Sequence, residues 1–264
     1  MKLNKEQIEF LNEYARGTWT FNEKTGLVDI GGNFMCTNEK LTDFKGVKFG
    51  VVTGNFTCSI NKLTSLVGAP QKVGGGFSCS INKLTSLVGA PQVVEGSFSC
   101  QNNKLTSLVG APQKVGRNFY CSNNKLTSLV GAPQVVEGSF SCPDNMLTSL
   151  EGAPQEVGGG FSCHRNELTS LVGAPQKVGG SFDCSRNKLK IPERILELVI
   201  ETMYKKGVDY YFALFLNKEA IDKEINKRKK NLEKMERILV EIDANLSEDS
   251  QKGISMMGRF GHFD

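Results

Sequence analysis

Histidine is scarce in this chain, with two copies among 264 residues, and no cysteine lies beyond Cys184. The histidines stand at positions 164 and 262, and no Cys-x-x-Cys pair accompanies them, so zinc-type ligation has no foothold and neither metal nor other cofactor is expected. No glycine-rich loop opens a helix in the manner of a phosphate-binding loop, and the glycines instead recur at a fixed interval, so no enzymatic activity is expected. Long apolar runs are missing too. No stretch approaches the length of a membrane span, and residues 1 to 10 mix Lys, Glu and Asn with isolated apolar residues, so a cytoplasmic protein is expected. The formal net charge of +4 is too small for this length to imply nucleic acid or an anionic membrane by itself.

Cysteine, by contrast, is regular. It occurs at Cys36, Cys58, Cys79, Cys100, Cys121, Cys142, Cys163 and Cys184, with a first gap of 22 and then gaps of 21 throughout. A disulfide framework would be irregular, so each cysteine reads as a repeat position and as a small buried hydrophobe stacked in a column of thiols. Alignment on these positions yields V-x-G-x-F-x-C-x-x-N-x-L-T-S-L-x-G-A-P-Q-x, a period expected of a solenoid. Phe recurs two residues before each Cys, from Phe34 to Phe182, so Phe and Cys share one face of a short strand and eight strands are expected. Leu follows five residues after each Cys, and the Gly and Pro of L-T-S-L-x-G-A-P predict a tight irregular return in place of a helix.

A single coil cannot offset the entropy of ordering its residues, so stacking must supply the remainder through parallel strand pairing and a continuous core. Asn61, Asn82, Asn103, Asn124, Asn145, Asn166 and Asn187 lie three residues after Cys. A buried amide at every turn needs partners, and a ladder to the backbone of adjacent coils would provide them.

The core F-x-C-x-x-N-x-L-T-S-L resembles the L-x-L-x-x-N-x-L core of leucine-rich repeats, and the L-T-S-L-x-G-A-P return is similar to the short return of bacterial effector repeats, which have no convex helix. The longer tract N-K-L-T-S-L-V-G-A-P-Q-K-V-G-G-x-F-x-C-S-x-N resembles 21-residue-repeat proteins of tailed bacteriophages and some bacteria. Ala15-Arg-Gly-Thr-Trp-Thr-Phe-Asn22 and Gly26-Leu-Val-Asp-Ile30 are similar to the lead-in of those proteins. The resemblance covers residues 15 to 191. It departs at the Val that precedes the usual first Leu position, at Glu39 in place of Asn, and at Arg117 in place of Gly. It implies an α+β chain built on a leucine-rich-repeat-type parallel β solenoid of about eight coils without convex helices, with an N-terminal cap helix and a C-terminal helical segment. It also implies a bacterial protein partner, such as a host defence component that a phage-encoded protein blocks or triggers in the host cytoplasm. Effectors of this type that act as ubiquitin ligases carry a later domain with a nucleophilic cysteine, and nothing matches it after Cys184.

Both ends of a solenoid need covers. Ile8, Leu11 and Ala15 recur at helical spacing, so residues 1–27 are expected to form a cap helix over residues 4–14 and a lead-in that delivers Trp19 and Phe21 onto the first coil. The solenoid is assigned to residues 28–191. From Pro192 onward, residues 192–246 are read as cap helices, with Ile195, Leu198, Val199 and Met203 closing the last coil, followed by a long heptad-patterned helix. Its seam comprises Ile221, Ile225, Leu232, Met235, Leu239, Ile242 and Leu246, broken by Arg228, and fits either a helix folded back on its own cap or a coiled coil joining two copies. Residues 247–264 read as a flexible tail.

Function then belongs to the surface. Ser78, Ser99, Ser141 and Ser162 make a flat face between Phe and Cys. Tyr120 breaks it, flanked by Arg117, Asn118 and Gln101; His164, Arg165, Asp183 and Arg186 form a second departure. Aromatic and Arg side chains on a rigid face suit a protein interface. Repeat copies also drift where nothing selects them, which is the bland alternative. Lys62, Lys83, Lys104, Lys125 and Lys188 form a column interrupted by Met146 and Glu167. Such a column could follow phosphates, but no aromatics interleave with it, and solvated lysines also keep repeat surfaces soluble.

Overall fold

A computed structural model of the chain describes residues 2–189. The cap helices and seam expected over residues 192–246, and the tail of 247–264, lie outside the described residues. No family of strands is needed beyond the repeat and its lead-in: the described chain is a parallel β solenoid with one helix at its start.

Helix α1 (Lys5–Tyr14) begins where Asn4 accepts from the Gln7 amide (2.9 Å) and the Gln7 side chain accepts from the Asn4 amide (3.0 Å), a reciprocal cap. The expected helix is there, but its buried face is Phe10, Leu11 and Tyr14, while Ile8 is exposed. The choice follows from what lies beneath. Phe10 and Tyr14 set their rings 5.4 and 6.2 Å from Phe34, the first ring of the core. Strand β1 (Ala15–Asn22) then turns back antiparallel along β2 (Leu27–Met35), holding Trp19 and Phe21 against the core.

Strand β2 seeds two parallel ladders. Its first half pairs with β3 (Phe49–Val52) and its second half with β4 (Phe56–Thr57). Beyond these, the Phe strand recurs at Phe77–Ser78, Phe98–Ser99, Phe119–Tyr120, Phe140–Ser141, Phe161–Ser162 and Phe182–Asp183, each in register with the one before. The other ladder runs through Lys72–Val73, Val93–Val94, Lys114–Val115, Val135–Val136, Glu156–Val157 and Lys177–Val178. The expectation of one strand per coil is therefore corrected to two. Val stands four residues before Phe, and the corner between them bends the chain so that both side chains face inward. The coil number is corrected as well: seven pairings link the eight Phe strands, and eight rungs enclose seven complete turns.

The interior is a set of stacked columns. Phe rings from Phe56 to Phe182 lie 5.1–5.5 Å apart at interplanar angles of 6–29°. All eight thiols are free and buried. Burial pushes Cys36 up to about 12 and Cys184, at the end of the described stack, up to about 11. The sulfurs from Cys58 to Cys142 lie 3.4–3.5 Å from a carbonyl oxygen of the next coil, within reach of a weak S–H donation.

The asparagine ladder is present. Asn124 Nδ2 donates to the Cys100 carbonyl of the preceding coil (3.0 Å) and to Cys121 and Ser122 in its own, while its Oδ1 accepts from the Leu105 amide (3.1 Å). The same pattern repeats from Asn82 to Asn187. In the first coil, where Glu39 stands in place of Asn, Asn61 Oδ1 takes both the Glu39 and Leu41 amides (3.0 and 2.9 Å).

Candidate functional site

The outward face of the Phe ladder carries one side chain per coil. Its serines are half-buried and partly engaged with each other: Ser78 Oγ meets Ser59 Oγ, and Ser99 Oγ meets Ser80 Oγ, each at 2.7 Å. Hydroxyls that satisfy one another leave a flat surface with little free hydrogen-bonding capacity. Tyr120 interrupts it. With Gln101 it lines a shallow concavity of about 440 Å³, shared with Asn55, Thr57, Ser78 and Ser99.

The four residues singled out around Tyr120 divide. Gln101 and Tyr120 reach the concavity. Arg117 is exposed at the corner between the ladders. Asn118 is committed inside that corner, with Oδ1 accepting from the Ser139 amide at 2.8 Å. It belongs to a polar column that the repeat pattern did not reveal. Asn33, Asn55, Asn118 and Ser139 each accept the amide of the equivalent residue one coil on, at 2.7–3.1 Å. The signal was available, since each of these residues immediately precedes Phe.

The second cluster gathers around one imidazole nitrogen. His164 Nδ1 lies 2.8 Å from Ser162 Oγ and 3.1 Å from Asp183 Oδ2. A serine, a histidine and an aspartate in contact invite comparison with a hydrolytic triad, but both partners meet the same ring nitrogen, whereas a proton relay needs one on each. The arrangement orders a polar surface and does not activate the hydroxyl. Burial pushes the Asp183 carboxyl upward, yet the Ser185 backbone and hydroxyl together with the His164 ring outweigh it and hold the group below its usual value. Arg165 reaches toward Asp144 at 3.7 Å, and Arg186 is exposed. Arg165 and Arg186 occupy a left-handed backbone position (φ 52° and 54°) shared by one residue in every coil.

On the Val ladder a further pattern was missed, an alternation of Lys and Glu between coils. Glu95 lies between Lys72 (3.5 Å) and Lys114 (3.1 Å), the lysines one coil to either side, and they hold its carboxyl below the usual range. Gly116 follows Glu95 in that column because a Cβ there would overlap the Glu95 carbonyl oxygen.

Among the described residues no cluster of three His, Cys, Asp or Glu side chains could hold a metal ion, and no helix is long and apolar enough to cross a membrane. No family model, curated protein or solved structure matches the chain. The class its geometry defines is a parallel β solenoid with repeats of 21 residues.

Proposed function

We propose that this chain is a non-enzymatic protein-docking module of leucine-rich-repeat type that presents the outward face of its Phe ladder to a partner. The carrying observation is Tyr120, a large amphipathic ring in a column that from Thr57 to Ser162 is otherwise filled by small side chains, set beside a concavity it shares with Gln101. A rigid aromatic at the rim of a preformed hollow is the arrangement that makes an interface anchor, because little side-chain entropy is lost on docking. His164, Arg165, Asp183 and Arg186 would supply a polar rim. The resemblance to phage repeat proteins points to a bacterial protein as the partner, a host or defence component that is inhibited or triggered in the cytoplasm. The heptad spacing of Ile225, Leu232, Leu239 and Leu246 favours a second reading, an assembly protein that oligomerises through residues 217–246.

Affinity capture from bacterial lysate followed by mass spectrometry tests the docking face. Wild type should retain a protein that Tyr120→Ala combined with Arg165→Ala releases, and identical recoveries would discard this face.

A further inference from the structure

We propose that the lysine edge of the first five coils is a binding track for an acidic polypeptide segment containing apolar residues, laid along the solenoid axis. The proposal rests on the reading of the chain as a protein-docking module and names the chemistry of what docks. Lys40, Lys62, Lys83, Lys104 and Lys125 occupy the same position in successive coils, and all are exposed. Their spacing is set by the backbone. The amides of Lys62, Lys83, Lys104 and Lys125 donate to Leu41, Leu63, Leu84 and Leu105 of the preceding coil at 2.8–2.9 Å, so the column climbs one rung at a time.

What separates these lysines from others on the molecule is that five in succession along one column lack counter-ions. Lys72 and Lys114 share Glu95, and Lys188 pairs with Glu167, but none of the five has an acidic partner among the described residues. Like charges carried on backbone rungs about 4.8 Å apart repel, weakly in water but at every step of the column. The track stops where the pattern changes, at Met146, with Asp144 and Glu167 beside it.

A second observation lies alongside the track. Ile60 and Ile81 adopt φ of 58° and 55° and are 44% and 49% exposed. The equivalent residues of the other coils are Asn38, Asn102, Asn123 and Asp144, types that tolerate this conformation, and Arg165 and Arg186, which are unbranched at Cβ. A β-branched residue does not tolerate it, and side chains left about half exposed gain only part of the packing that could offset the strain, which makes the pair a candidate for a functional constraint. Apolar side chains beside a column of uncompensated lysines match a ligand that combines carboxylates with apolar groups. Nucleic acid fits less well, since no aromatic side chain interleaves with the column to stack on bases. From Lys40 to Lys125 the track spans about 19 Å, room for roughly six extended residues.

The test uses the full chain and a fluorescein-labelled peptide rich in glutamate with isolated leucines, read by anisotropy at low and physiological salt. Wild type should bind it. The variant Lys62→Gln, Lys83→Gln, Lys104→Gln, Lys125→Gln should bind about tenfold more weakly or worse, with most of the salt dependence gone. Ile60→Asn with Ile81→Asn should move two readouts in opposite directions, raising the thermal midpoint as strain is relieved while weakening the peptide. No binding by wild type, an unchanged affinity in either variant, or tighter binding of an oligothymidylate than of the peptide would overturn the proposal. The Tyr120 face is untouched by these substitutions, so it stands or falls separately.

Discussion

The interior of the stack and its lysine edge are built from the same repeat, yet repetition has opposite consequences in the two places. Inside, identity between coils is favourable: Phe rings stack on Phe, thiols lie under carbonyls, and each Asn amide bonds two coils. At the edge, identity places ammonium over ammonium and twice keeps isoleucine in a backbone conformation that suits asparagine. Columns of self-complementary groups lower the free energy with every coil added, whereas columns of like charge raise it. A repeat protein can therefore afford a costly column only where its interior is strongly cooperative.

The largest test of this contrast is alkaline pH. A thiol in the unfolded chain ionises near the ordinary 9.0, while burial keeps Cys36 neutral to about 12 and Cys184 to about 11, and pushes the six between them well up. Above pH 9 the unfolded state releases protons that the folded state retains, so stability is fully present below that value and falls as pH rises. Eight thiols acting together would remove up to about 11 kcal/mol per pH unit, which is of the order of the whole stability of a domain. Circular dichroism should show cooperative unfolding between pH 9 and pH 11, with thiol reagents reacting only after the transition. Reaction of the cysteines in the folded state at pH 8 would contradict a sealed interior.

Next in size is a cavity in the ring column. Phe119 is fully buried and stacked against Phe98 and Phe140 at 5.1 Å on both sides. Phe119→Ala should cost about 3–5 kcal/mol in urea unfolding, because the locked backbone of the neighbouring coils cannot close over the gap. The smallest effect belongs to the edge and has the opposite sign. Lys83→Gln with Lys104→Gln should raise stability by a few tenths of a kcal/mol at low ionic strength, and the gain should vanish in about 1 M salt. A loss of stability from that pair would mean that the column is not self-repelling.

Much of the fold is legible in the chain because the period is short and its signals agree. Phe, Cys, Asn and Leu at fixed offsets identify the inward columns, and their burial follows. The second ladder is less legible, since a Val four residues before Phe reads equally as one bent strand or as two short ones. The cap helix shows the same limit: periodicity selected Ile8, but the position of the Phe34 ring selected Phe10 and Tyr14. At the candidate site, exceptions to the repeat located Tyr120 and Gln101 on one hollow, yet the same reasoning also chose Asn118, whose side chain closes a corner.

Sequence by itself determined that this chain stacks, at what period, and which residues face inward, because apolar burial and amide pairing depend on residue type repeated at a fixed interval. Tertiary structure alone decided how many strands a coil contains, which polar side chains are consumed by neighbouring coils, and which lysines meet an acid. Those outcomes depend on distances between coils and on backbone angles at the corners, and residue spacing along the chain specifies neither.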